Sequence, residues 1–157
     1  MKLILKKAIS YIKADLPVQT QMISKALYRK SSPRTGLFAL VSINEGERVT
    51  GYKFKEIKRL LPGEEYLRVV MPNGQEGYIN EYGRFHISPN DWKCYPMING
   101  FAIVKSKQTE RYGILTDFGD YHWQPMLTKD EAIEEWEKLA KIERSRDYLM
   151  EEEIISN

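Results

Sequence analysis

The sequence predicts an α+β protein: an antiparallel β meander, curled into a sheet or partial barrel of repeated hairpins, flanked by an N-terminal helix pair and a C-terminal helix. Three observations carry that expectation. One seven-residue pattern occurs twice, glycine turns cut the middle of the chain into short apolar segments, and apolar residues recur at helical spacing near both ends.

The repeated pattern is Gly77-Tyr-Ile-Asn-Glu-Tyr-Gly83 and Gly113-Ile-Leu-Thr-Asp-Phe-Gly119, two copies 36 residues apart. A fixed period of this size marks a repeated supersecondary unit. Each copy reads as a strand, a tight turn and a second strand, with glycine supplying the positive φ and the aromatic beside it covering the bend. Strands are expected over 37–43, 47–52, 66–71, 75–80, 84–87, 101–105, 111–116 and 120–124. Asn73-Gly74 is the clearest turn, because this pair favours the mirror-image turn whose twist suits a hairpin. Short loops between consecutive strands imply antiparallel pairing.

At the N-terminus, Leu5, Ile9, Ile12 and Leu16 are spaced for a helix that Pro17 ends, and Val18, Met22, Ile23, Ala26 and Leu27 form a second stripe over residues 18–29. At the other end Thr128-Lys-Asp-Glu131 is a capping box. Ala132, Ile133, Trp136, Leu139 and Ala140 continue from it as an apolar stripe in a helix expected to reach Tyr148. The 157 residues suit a single domain: a basic helical pair (1–35), a β-repeat sheet (36–127), an acidic C-terminal helix (128–150) and a tail (151–157).

The net charge of +2 hides an asymmetry, since residues 1–35 carry +7 and residues 128–157 carry −5. Such a basic arm suits an anionic partner or the acidic terminus of the same chain. Cys94 is the only cysteine, which points to a reducing cytoplasm and leaves no disulfide framework. The opening Met1-Lys-Leu-Ile-Leu-Lys-Lys7 has too short an apolar run for a signal peptide or a membrane span.

Tyr112-Gly113, Pro89, Trp92 and Gly100 give residues 49–127 a resemblance to the WG-repeat family, whose units combine an aromatic-Gly strand, a glycine turn, a proline-containing strand and an aromatic-Asp step. The chain departs from that pattern in Glu76, in Val49-Thr-Gly51 and in two extra residues before Tyr112. The resemblance implies a bacterial origin and an interaction role. Residues 64–79 are also similar to the strand pair near the end of bacterial SH3-like domains, which again implies interaction.

His86 and His122 each stand three residues past a turn glycine, with Asp117 or Cys94 as a conceivable third ligand, but nothing in the spacing calls for a metal or a cofactor. No catalytic motif stands in the sequence. The expected function is a non-catalytic protein-interaction module, an adaptor or an inhibitor acting by occlusion. Its binding residues are expected among Tyr82, Trp92, Tyr95, Tyr112, Tyr121 and Trp123, because Tyr and Trp carry much of the binding energy at interfaces. The alternative is a nucleic-acid-binding accessory protein of a mobile element, using Lys6, Lys7, Lys13, Lys25, Arg29, Lys30 and Arg34 against phosphates. A second alternative is an enzyme whose site is assembled from distant residues.

Overall fold

A computed structural model describes residues 20–143 and 145–149. Its strands form three separate antiparallel sheets rather than one curled meander. The first contains β1 (Thr20–Met22), β2 (Leu27–Ser31) and β3 (Phe38–Ser42); the second β4 (Glu56–Ile57), β5 (Leu67–Val70), β6 (Glu76–Ile79) and β7 (Phe85–Asn90). The third contains β8 (Trp92–Cys94), β9 (Phe101–Ser106), β10 (Tyr112–Thr116) and β11 (Tyr121–Leu127). Within each sheet every strand pairs with its neighbour in sequence. Helix α1 (Lys129–Ala140) and a short α2 (Arg146–Leu149) follow.

The sheets stack because the middle strands are apolar on both faces. All four residues of β6 are buried, and so are the three central residues of β3, β9 and β10. A strand buried on both sides needs cover on both, and a curled single layer supplies only one. Leu27 and Leu40 of the first sheet therefore pack with Leu67, Val69 and Ile79 of the second. From the opposite face of the second sheet, Tyr78 and Ile87 meet Ala102, Val104 and Leu115 of the third. Ile103, Ile114 and Leu127 then turn towards Ala132, Trp136 and Ala140 of α1, so the helix caps the stack.

The two glycine patterns adopt one design. Gly77 pairs with Val69 and Gly113 with Val104. A Cβ on Gly77 would sit 2.7 Å from the Ile87 carbonyl and 3.0 Å from the Pro89 nitrogen; on Gly113 it would sit 2.6 Å from the Trp123 carbonyl and 2.9 Å from the Pro125 nitrogen. The backbone of the last strand, bulged at each place, fills the space of the missing side chain.

One more unit precedes these two and is the first of three, the Gly77 and Gly113 patterns belonging to the second and third. Val49 and Thr50 both donate to the Leu40 carbonyl (2.7 and 3.3 Å), and Lys53 and Phe54 both donate to that of Phe38 (3.2 Å each), so the chain bulges twice against β3 as it does against β6 and β10. Ala39 stands where the other units have glycine. Residues 47–52, expected as a strand, are this irregular edge, with an isolated bridge from Val41 to Arg48.

The expected N-terminal helix pair is overturned over residues 18–29, where Thr20–Met22 and Leu27–Ser31 are strands. Strand β2 pairs residue by residue with β3, from Leu27 opposite Ser42 to Ser31 opposite Phe38. The apolar spacing that imitates a helix comes from a tight turn, in which Ile23 and Ser24 both donate to the Leu27 carbonyl. The other expected helix, residues 3–15, lies outside the described residues. At α1 the capping box forms as expected: Glu131 N–H donates to Thr128 Oγ1 and Thr128 N–H to Glu131 Oε1. The helix ends at Ala140 rather than near Tyr148, because Lys141 takes a left-handed conformation (φ 54°) and donates to the Glu137 carbonyl.

Candidate functional site

The stacking of units decides which aromatic residues reach solvent. Trp92 is buried and donates its indole N–H to the Glu76 carbonyl (2.8 Å), with Tyr121 edge-on at 5.9 Å. Tyr95 is buried as well, and its carbonyl accepts from the Tyr78 hydroxyl at 2.6 Å. These two binding candidates belong to the core: Trp92, on β8, packs with the second sheet, and Tyr95, just past that strand, packs in the α1 layer. Tyr112 and Tyr121 are half-buried; Tyr112 packs towards the α1 layer and burial raises the Tyr121 hydroxyl pKa.

Of the binding candidates Tyr82 and Trp123 are exposed, and Phe118 and Met126 join them. Tyr82 and Phe118 occupy one place in successive units, each immediately before the turn glycine, and are 71% and 89% exposed. The rings do not cover their bends. The repeat pattern itself equates the two positions, so Phe118 was legible as a partner of Tyr82.

A polar cluster locks the second unit to the third directly beneath these turns. The His86 ring stacks on Tyr66 at 4.0 Å and 9°, and its Nε2 lies 2.6 Å from the Asp117 carbonyl and 3.0 Å from Asp117 Oδ1. A carbonyl oxygen only accepts, so Nε2 carries the proton and donates. The Tyr66 hydroxyl is pushed up to about 12, first by desolvation and then by its hydrogen bond to Asp117. His122, the repeat equivalent of His86, has different surroundings: it packs edge-on against Phe101 at 5.9 Å. No group of three metal-ligating side chains comes together among the described residues.

Lys25, Lys30 and Arg34 are exposed on the first sheet and its turns, whereas Lys6, Lys7 and Lys13 lie outside the described residues. Arg29 is committed to structure. It pairs with Glu56, donates to the Ile57 carbonyl (3.1 Å) and lies 4.6 Å over the Phe38 ring, joining β2 to β4. Lys25 and Arg29 therefore do not lie on the helix expected over residues 18–29, which is a strand pair.

Cys94 is fully buried, and desolvation followed by the charge of Glu76 holds its thiol well above the usual range. The thiolate is the reactive form, so the folded protein is expected to leave an aromatic disulfide reagent unreduced at pH 8, with one thiol titrating on unfolding in urea. Rapid reaction before unfolding would contradict this burial.

No helix of the described residues is long and apolar enough to cross a membrane. Neither a family model, nor a curated protein, nor a solved structure matches the chain.

Proposed function

We propose that the chain is a non-catalytic protein-binding module of the WG-repeat type, working in a bacterial cytoplasm as an adaptor or as an inhibitor by occlusion. The observation that carries this reading is the pair of ring-bearing turns, Tyr82 and Phe118, projecting from equivalent places on adjacent units. Aromatic rings carry much of the binding energy at interfaces, and two at equivalent places on one regular scaffold suit a partner that spans successive units. The His86–Asp117 contact below them holds the second turn in register with the first, so little ordering remains to be done on binding.

Affinity capture from a nuclease-treated bacterial lysate tests the proposal. Tyr82→Ala and Phe118→Ala each remove an exposed ring without disturbing the core, and each is expected to weaken a captured protein by about 1–3 kcal/mol, roughly 5- to 150-fold. Undiminished capture by the double variant would overturn the reading. Loss of every partner on nuclease treatment would favour the exposed Lys25, Lys30 and Arg34 instead.

A further inference from the structure

The two internal junctions share one rule. Where a unit's turn glycine meets the unit before it, it lies against the residues three and four places past that unit's own turn glycine. A Cβ on Gly83 would meet Thr50 Cγ2 at 2.3 Å and Val49 Cγ1 at 3.4 Å, and these residues follow Gly46 by four and three. One on Gly119 would meet Ile87 Cγ1 at 3.7 Å, four places past Gly83, and the neighbouring His86 donates to Asp117 of the same turn. Aromatic contacts repeat as well, with Phe85 edge-on to Phe54 (6.3 Å) and Tyr121 edge-on to Trp92 (5.9 Å).

At the ends of the array this rule leaves one half of a junction at each side. In the third unit the seat is His122 and Trp123, both exposed; Trp123 is 41% exposed where its equivalent Ile87 is 6%. In the first unit the turn is Asn44-Glu45-Gly46, all exposed, and a Cβ on Gly46 would meet nothing within 4 Å among the described residues. The halves also match chemically. Asn44 stands two residues before its glycine, as Asp117 does, in a turn one residue longer (Ser42 to Glu47 against Thr116 to Asp120), and like Asp117 it has a side-chain oxygen besides its backbone carbonyl as acceptors for an imidazole N–H.

We propose that a second copy of this chain docks head to tail, seating its Asn44–Gly46 turn on His122 and Trp123 and extending the junction found twice inside the molecule. Helix α1 already covers Ile103, Ile114 and Leu127, so among the described residues the incoming copy meets the third sheet at its turn end, where His122 and Trp123 are exposed. The contact is accordingly small, in the weak class that buries less than about 1,000 Å². Its two surfaces differ, so association is heterologous and does not close at a dimer.

Sedimentation of the full chain over a concentration series tests this, with Tyr82 and Phe118 untouched so that failure here is separate from failure of the binding role. Wild-type protein is expected to grow beyond the dimer as concentration rises. Trp123→Asp and Asn44→Arg change exposed side chains at opposite ends, and each alone is expected to remain monomeric. Mixed in equal amounts they are expected to form dimers and nothing larger, because each supplies one intact half. A wild-type monomer at every concentration, undiminished growth of either variant, or a mixture that stays monomeric would overturn the proposal, as would a wild-type assembly that stops at the dimer.

Discussion

Trp136→Ala is expected to lower the unfolding free energy by about 3–5 kcal/mol, the range for truncating a large buried ring. Trp136 is the largest fully buried side chain and fills the layer between α1 and the third sheet, among Ile103, Ile114 and Leu127. Its indole N–H donates to the Phe101 carbonyl at 2.8 Å beside the Ile98 N–H at 3.0 Å, so truncation also removes one of the two donors to that strand carbonyl. Natural domains have roughly 5–15 kcal/mol in all, and the variant is expected to sit at the edge of folding. Trp136→Phe keeps most of the packing and loses the hydrogen bond, which is expected to cost about 1 kcal/mol beyond the change in volume. Urea unfolding followed by far-ultraviolet circular dichroism measures both. A loss below about 1 kcal/mol for the alanine variant would mean that α1 does not cap the stack.

The second large effect comes from an ion pair with almost no contact with water. Arg68 and Glu64 are 2% and 1% exposed, with Arg68 Nε 2.7 Å from Glu64 Oε2, and Glu64 Oε1 accepts from the Leu61 N–H at 3.0 Å. Attraction across such a pair is largely offset by the cost of desolvating both charges, but removing one partner strands the other. Arg68→Met is expected to destabilise by about 3–5 kcal/mol for that reason. Replacing both charges, as Arg68→Met with Glu64→Met, is expected to restore much of the loss, since two apolar side chains of similar volume need no compensation. Equal destabilisation of the single and double variants in urea would show that the pair acts through hydrogen bonds to its surroundings rather than through charge.

The glycines were the most legible part of this chain. Gly77 and Gly113 announced a repeated unit, and the close approach of strand backbone at both explains why no side chain stands there. The capping box at Thr128 and Glu131 was equally plain, because it depends only on residues three apart. Ala39 hid the first unit by standing in place of the marker glycine. A tight turn at Ile23–Leu27 then gave its strands the apolar spacing of a helix, while the partner that makes β2 a strand lies in β3, across the loop of residues 32–37. Surface aromatics were hard to tell from core aromatics for a related reason. Alternation along a strand assigns faces, but Trp92 and Tyr95 lie where both faces are covered, so either direction leads inward. The end of α1 carried no glycine to mark it; Lys141 adopts the left-handed conformation that a glycine would have signalled.

Everything proposed for the turns depends on like units stacking in chain order, with each turn glycine held against the unit before it. A Cβ built on Gly83 lies 3.8 Å from that of Thr50, within the range of about 3.5–4.5 Å that a disulfide spans. Thr50→Cys also removes the methyl group that would obstruct a side chain at position 83. Mild oxidation of Thr50→Cys/Gly83→Cys, with thiols counted in denaturant, is therefore expected to consume two of the three thiols and leave Cys94, while Thr50→Cys/Gly119→Cys keeps all three. A folded first variant that stays reduced, or equal cross-linking of both pairs, would contradict the stacked order of the units.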